Sequence, residues 1–135
     1  MTYLVDTDRV AEYLMGRESA LSLISSLLQA RARVAISLIT YGEIYEGITF
    51  GRNPRQAEQG FRGFLRAVDV LPMNRTIMRR FAQIRGELRQ RGVPIGDADT
   101  LIAATALHYD LILLTGNIGH FQRVVGLRLN LTTGV

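Results

Sequence analysis

No cysteine, no lysine and no apolar run of membrane-spanning length occur in this 135-residue chain. Without thiols there are no disulfides, no thiolate metal sites and no cysteine nucleophile, and a reducing, cytoplasmic setting is expected. A membrane span requires roughly 20 consecutive apolar residues. A signal peptide requires a charged region and an apolar stretch that MTYLVDTD does not offer. A soluble protein that stays where it is made, with no membrane partner, is therefore expected. The absence of lysine leaves sixteen arginines as the only basic residues besides histidine. Arginine's planar fork matches phosphate bidentately, although a genome-wide codon bias would remove lysine equally well. The net charge of +4 itself points to a polyanionic partner. No repeat, linker or low-complexity segment interrupts the chain, and its 47% hydrophobic content suits one domain over residues 1–135 with a core that needs no staples.

Taken in order, Tyr3-Leu4-Val5 reads as a short strand stopped by Asp6-Thr7-Asp8. Val10, Tyr13 and Leu14 then predict a short helix ended near Gly16. Ala20, Leu21, Ile24, Leu27 and Leu28 repeat at helical spacing to about Ala32, before a second strand, Val34-Ala35-Ile36, that ends at Ser37. A helix is expected from Thr40 towards Phe50, and Pro54 opens the next, which carries Phe61, Phe64 and Leu65 on one side. Val68 to Leu71 is a third strand closed by Pro72. Asn74 to Arg91 is the cleanest amphipathic helix, with Ile77, Phe81, Ile84 and Leu88 opposite Arg75, Arg79, Arg85 and Arg89. The stretch Val93 to Ala106 turns from a loop into a small-residue helix, Leu111 to Leu114 is a fully apolar strand, and Leu127 to Leu131 is an alternating edge strand. Apolar strands separated by helices predict an α/β fold: a central parallel sheet of about four to five strands with helices on both faces.

Ligands in such sheets bind beyond the carboxyl ends of the strands. Asp6 and Asp8 follow the first strand, Glu43 lies a turn into the helix after the second, Asp97 and Asp99 begin the small-residue helix, and Thr115 and Asn117 follow the fourth strand. Five of the twelve carboxylates thus fall beside one edge. Carboxylates gathered together repel unless some take up protons or a cation intervenes. Mg²⁺ or Mn²⁺ takes oxygen ligands and needs only one or two carboxylates with water and substrate phosphate. Such an ion supplies what phosphodiester hydrolysis requires.

Each residue also has a plain structural reading. Asp6, at the end of an apolar strand, lacks one, whereas Asp8 serves as a helix cap. Thr40-Tyr41-Gly42-Glu43 has the form of a capping box, which by spacing alone makes Glu43 a partner of a backbone N–H. Asp97 reads as an N-cap with Asp99 a first-turn charge, and Asn117 as a turn residue. The arginine-bearing helix faces read as solvated surface. His108 reads as structural, and His120 as a residue within reach of substrate.

Leu4-Val5-Asp6-Thr7-Asp8, Ser37-Leu38-Ile39-Thr40-Tyr41-Gly42-Glu43 with Gly47, Asp99-Thr100-Leu101-Ile102-Ala103-Ala104, and Leu114-Thr115-Gly116-Asn117 with His120-Phe121 together resemble, in order, the motifs of PIN domains. The resemblance covers the whole chain, whose length and short last strand look like a VapC-type toxin. It implies a PIN-like fold and a Mg²⁺- or Mn²⁺-dependent endoribonuclease that cleaves RNA. It further implies restraint by a small cognate antitoxin, and a homodimer. By the same resemblance Asp6, Glu43 and Asp99 are the metal ligands, which displaces the capping-box reading of Glu43, and Thr115 belongs to the site. The family's fourth acidic position falls on Asn117, which carries no charge. Asp97 is expected to make up the deficit, an expectation from its position and not from the resemblance.

Two rivals are weighed against this. Asp6-Thr7-Asp8 has the D-x-D form of haloacid-dehalogenase-like phosphatases, but that chemistry uses a lysine, and Val10 stands where its motif has threonine. A phosphoacceptor receiver domain fails for the same missing lysine. A catalytically idle RNA-binding or antitoxin-binding module is the other alternative, with Asn117 as its mark.

Overall fold

A computed structural model describes residues 2–130. Five strands, β1 (Thr2–Val5), β2 (Arg33–Ser37), β3 (Asp69–Leu71), β4 (Ile112–Leu114) and β5 (Arg128–Leu129), form one sheet in the order β3-β2-β1-β4-β5, every neighbouring pair parallel. Seven helices cover it among the described residues: α1 (Thr7–Leu14), α2 (Glu18–Gln29), α3 (Leu38–Thr49), α4 (Pro54–Leu65), α5 (Arg75–Gln90), α6 (Asp97–Tyr109) and α7 (Ile118–Phe121). None of these helices is long and apolar enough to cross a membrane.

Side chains on a strand alternate between faces, and here successive residues feed two separate cores. Leu4, Ala35 and Leu113 pack with Ile77, Ile84 and Leu88 of α5 and the alanines of α6. Val5, Val34, Ile36 and Leu114 pack with Val10, Ile24, Ile44, Ile48, Phe61 and Phe64 from the first four helices. Both faces are therefore dry, which is why the strands read as apolar runs rather than as alternation.

Most helix boundaries follow the local chemistry. Pro54 stands in the first turn of α4, and the side chain of Asn74 caps α5 by accepting from Ile77 N at 2.8 Å. Among the boundaries that differ from expectation are two away from the acids. The second helix stops at Gln29, not near Ala32, because Arg31 adopts a left-handed backbone (φ 60°) that helical residues avoid. The last strand is only Arg128–Leu129, and Leu131 lies outside the described residues.

The chain runs from β1 outwards to β2 and β3, then returns to lay β4 on the other side of β1. The reversal point between β1 and β4 is where open parallel sheets leave a crevice at their carboxyl ends. Asp6 follows β1 there, and its N–H donates to Leu114 O of β4 at 3.1 Å.

The slim surface of α6 lets it approach its neighbours: Ala103, Ala104 and Ala106 are fully buried. Ala103→Leu should cost about 1–3 kcal/mol by overpacking, lowering the melting temperature measurably and loosening the seat of Asp99 one turn earlier. An unchanged melting temperature would show that the helix does not sit this close.

Candidate active site

Asp6 is the N-cap of α1. Its Oδ1 accepts from Arg9 N at 2.9 Å, and its Oδ2 accepts a short hydrogen bond from the Thr115 hydroxyl across the β1–β4 reversal. The cap thus belongs to Asp6 and not to Asp8, because the helix starts at Thr7 and puts Asp8 inside its first turn, exposed. Asp6 does both jobs while only 3% exposed. Burial, reinforced by Asp8 and Asp99, pushes its carboxyl up to about 6 against the two hydrogen bonds, which lower it. The donors of both are neutral, and no basic side chain among the described residues offsets the burial.

Asp99, in the first turn of α6, is likewise raised, by burial and then by Asp8, with His120 opposing. His120 Nδ1 stands 3.8 Å from Asp99 Oδ2 and 2.8 Å from Asn117 Nδ2. Asn117 N–H donates to Thr115 Oγ1 at 2.9 Å, so the loop after β4 ties Asp6, Thr115, Asn117, His120 and Asp99 into one chain of contacts.

Glu43 approaches from α3. The capping box proposed for Thr40 to Glu43 is not formed, because α3 begins three residues earlier and is capped by Ser37, whose Oγ accepts from Thr40 N at 3.2 Å. Buried Thr40 instead meets the Thr7 hydroxyl at 3.0 Å, and Thr7 donates to Glu43 Oε1 at 2.6 Å. A run of hydroxyls from Ser37 through Thr40 to Thr7 therefore carries the start of α3 to the start of α1 and aims Glu43 towards the same edge.

Asp97 is placed elsewhere. Gly96, not Asp97, is the N-cap of α6, and the Asp97 carboxylate accepts from Arg85 Nε of α5 at 2.8 Å. It shifts neither Asp6 nor Asp99. His108, on the far end of α6, contacts Asn74 at 3.4 Å and the Tyr109 ring, in keeping with its structural reading.

Spacing put Asp8 at the edge without giving it a part in the site, and passed over Arg9. Asp8, assigned a plain cap, is the acid that acts on both Asp6 and Asp99. Arg9 is buried, held by Glu12 at 3.5 Å and Ser19 at 3.4 Å, with its guanidinium against Gly116; a Cβ there would meet it at 3.6 Å. A charged residue one place after the D-x-D carries no periodic signal, since helical spacing marks only apolar positions.

The donor set suits a hard divalent cation. Asp6, Asp99 and Glu43 offer carboxylate oxygen, and Asp6 is a buried acid without a counter-charge. Among the described residues no three acids or histidines stand close enough to enclose an ion by themselves. Mg²⁺ does not require that, since one or two carboxylates with water and substrate phosphate suffice.

The raised carboxyl of Asp6 makes stability depend on pH. The native group holds its proton more tightly than the unfolded chain, whose ordinary value is 3.8, so its contribution is complete below that pH and is lost as pH climbs through about 6. The loss amounts to about 3 kcal/mol by pH ~7. Asp6→Asn keeps the cap, since asparagine caps as well as aspartate, and removes the titration. Melts without divalent ions from about pH 4 to about pH 7 should show the wild type weakening relative to the variant; parallel curves would contradict the burial of an uncompensated charge.

The PIN domain family model matches residues 3–127. Ribonuclease VapC1 of Haemophilus influenzae (strain R2866) is 30% identical over 128 residues, covering 95% of this chain and 96% of the relative. The tRNA(fMet)-specific endonuclease VapC of Shigella flexneri is 34% identical over 98 residues, 73% of this chain and 74% of the relative. Among solved structures, VapBC2 from Rickettsia felis, bound to a promoter DNA fragment, superposes with a TM-score of 0.88 at 26% identity, covering 96% of this chain and 98% of that one. VapBC-1 from nontypeable Haemophilus influenzae does so with 0.85 at 29%, covering 96% and 97%. With the acids and the fold already in place, these likenesses settle descent: the chain belongs to the PIN-domain family, among the VapC ribonucleases.

Proposed function

We propose that this protein is a Mg²⁺- or Mn²⁺-dependent endoribonuclease, the toxin of a toxin-antitoxin pair, with Asp6, Asp99 and Glu43 as the residues that would hold the ion, directly or through its waters. One observation carries the reading: Asp6 is a buried carboxylate at the sheet's ligand-binding edge whose only partners among the described residues are neutral donors. When bound, the ion supplies Lewis acidity towards a phosphodiester and acidifies water near neutral pH. The chain does the rest. Thr115 and Arg9 N orient both oxygens of Asp6, Thr7 fixes Glu43, and His120 with Asn117 flanks Asp99. The Asn117 side chain, whose Nδ2 lies 2.8 Å from His120 Nδ1, fills a place in the loop as a neutral amide, which supports an active site in spite of the missing fourth acid.

Cleavage of RNA should require Mg²⁺ or Mn²⁺ and stop with chelator, and Asp6→Asn or Asp99→Asn should reduce it to background while the fold persists. The ion should also stabilise the wild type by about 2.7 kcal/mol at a hundredfold excess over its dissociation constant, an effect Asp6→Asn blunts. Cleavage by either variant near the wild-type rate, or equal stabilisation of both proteins, would place the chemistry elsewhere.

The partner reading rests on a groove. A cavity of about 610 Å³ between α1, α3 and α4 is lined by Ala11, Leu14, Ile44 and Ile48, and its lining includes Thr7 and Glu43. An apolar helix of an antitoxin fits such a groove. A basic residue following it would meet the carboxylates, arginine bidentately, in competition with the ion. The homodimer and the cytoplasmic setting belong to the same reading.

Gly60 of α4 lines this groove, and a Cβ added there meets nothing within 4 Å. Gly60→Leu should therefore leave folding intact or improve it, since glycine is a poor helix residue by about 1 kcal/mol. Cleavage should persist while antitoxin affinity falls at least about tenfold, the equivalent of one lost apolar contact of about 1.4 kcal/mol. Unchanged affinity in a titration of toxin with antitoxin would move the partner off this face.

A further inference from the structure

The pairing of Asp97 with Arg85 leaves a conspicuous acid outside the acid cluster and gives it a different task. Arg85 and Arg89, a turn apart on α5, line a small cleft with Pro94, Ile95, Asp97 and Thr100, beside the first turn of α6 that carries Asp99. Two more arginines border the same loop: Arg91 donates to Arg123 O at 2.9 Å, and Arg123 donates to Pro94 O at 3.3 Å. The Arg89 side chain makes no hydrogen bond or ion pair among the described residues. Arg85 commits only Nε, at 2.8 Å, to an Asp97 side chain that is 63% exposed. Exposed pairs of this kind are weak, and the remaining N–H groups of the guanidinium fork stay available to a second anion. The patch is cationic, it adjoins the acids, and the acids themselves repel a polyanion. A strand whose scissile phosphate lies at Asp6 and Asp99 needs positive charge immediately beside them.

We propose that Arg85 and Arg89 seat the RNA phosphate next to the one that is cleaved, and that Asp97 occupies Arg85 in place of that phosphate until RNA binds. The inference rests on the nuclease reading above and deepens it. It assigns Asp97 the part of a displaceable stand-in for phosphate, not that of a metal ligand. Arginine suits the exchange because carboxylate and phosphate present the same bidentate geometry to its fork.

The test measures binding of a labelled single-stranded RNA oligonucleotide to the non-cleaving Asp6→Asn protein across a salt titration. On that background Arg85→Ala and Arg89→Ala should each weaken binding roughly tenfold, the scale of one charge-assisted hydrogen bond. Each should flatten the dependence of log affinity on log salt by about 0.7, the value for one phosphate contact on a single strand. Arg85→Lys, which keeps the charge and loses the fork, should fall between. Asp97→Asn should tighten binding about two- to fivefold, the weight of an exposed ion pair. In the otherwise wild-type protein it should leave stabilisation by Mg²⁺ unchanged. Parental affinity and salt slope in the two alanine variants would overturn the proposal while leaving the nuclease reading intact, provided the wild type cleaves. Weaker RNA binding in Asp97→Asn, or loss of its Mg²⁺ stabilisation, would also overturn it by returning Asp97 to the metal. A wild type that neither binds nor cleaves RNA would defeat the nuclease reading itself, and this inference with it.

Discussion

A carboxylate buried without a counter-charge is the constraint from which the rest of this structure follows. Asp6 follows the central strand of a parallel sheet, both faces of which are covered by helices, and only 3% of it meets solvent. The fold holds it there with two neutral hydrogen bonds and accepts a carboxyl whose ionisation is delayed to about 6. A purely structural cap would be served as well by serine or asparagine, without the charge penalty. Retaining an acid in that position makes sense when a cation completes it.

The surrounding architecture keeps that carboxylate fixed and brings others towards it without letting them collapse together. Hydroxyls carry out much of this. Thr115 spans the gap between β1 and β4, and the Ser37, Thr40 and Thr7 series spans the gap between α3 and α1. Neutral donors orient carboxylates without adding the positive charge that would compete with a divalent ion. Arginine guanidinium groups are kept off Asp6: that of Arg9 is buried against Gly116, where Glu12 and Ser19 hold it, and that of Arg85 stands exposed at the rim with Asp97. Acid at the centre and arginine at the rim is the distribution expected of a site that binds a metal and a polyanion together.

Much of the fold was legible because its signals are local. Apolar residues at helical spacing marked α2, α4 and α5, and the apolar runs of β1, β2 and β4 follow from burial on both faces of the sheet. The site was less legible, because a cap is decided by the residue at which a helix starts, and spacing fixes that start only to within a few residues. Shifting α3 to begin at Leu38 made Ser37 the cap and turned Glu43 from a backbone partner into a residue facing Thr7. Beginning α1 at Thr7 gave the cap to Asp6 and left Asp8 free to act on its neighbours. Asp97 and Asp99 share the start of one helix, and the approach of α5, which delivers Arg85, gives Asp97 a partner that spacing along the chain does not reveal. Contacts between elements distant in the chain carry no periodicity, so Arg9 against Gly116 left no trace to read.

Whether Asp6 is an acid kept ready for a cation is tested most directly by titrating that one group. Carbon-13 labelling of the aspartate carboxyls and NMR across the acid range would report Asp6 individually. Without divalent ions the expected midpoint is about 6, and it moves sharply downwards as Mg²⁺ is added. A midpoint near the ordinary 3.8 that ignores Mg²⁺ would contradict it.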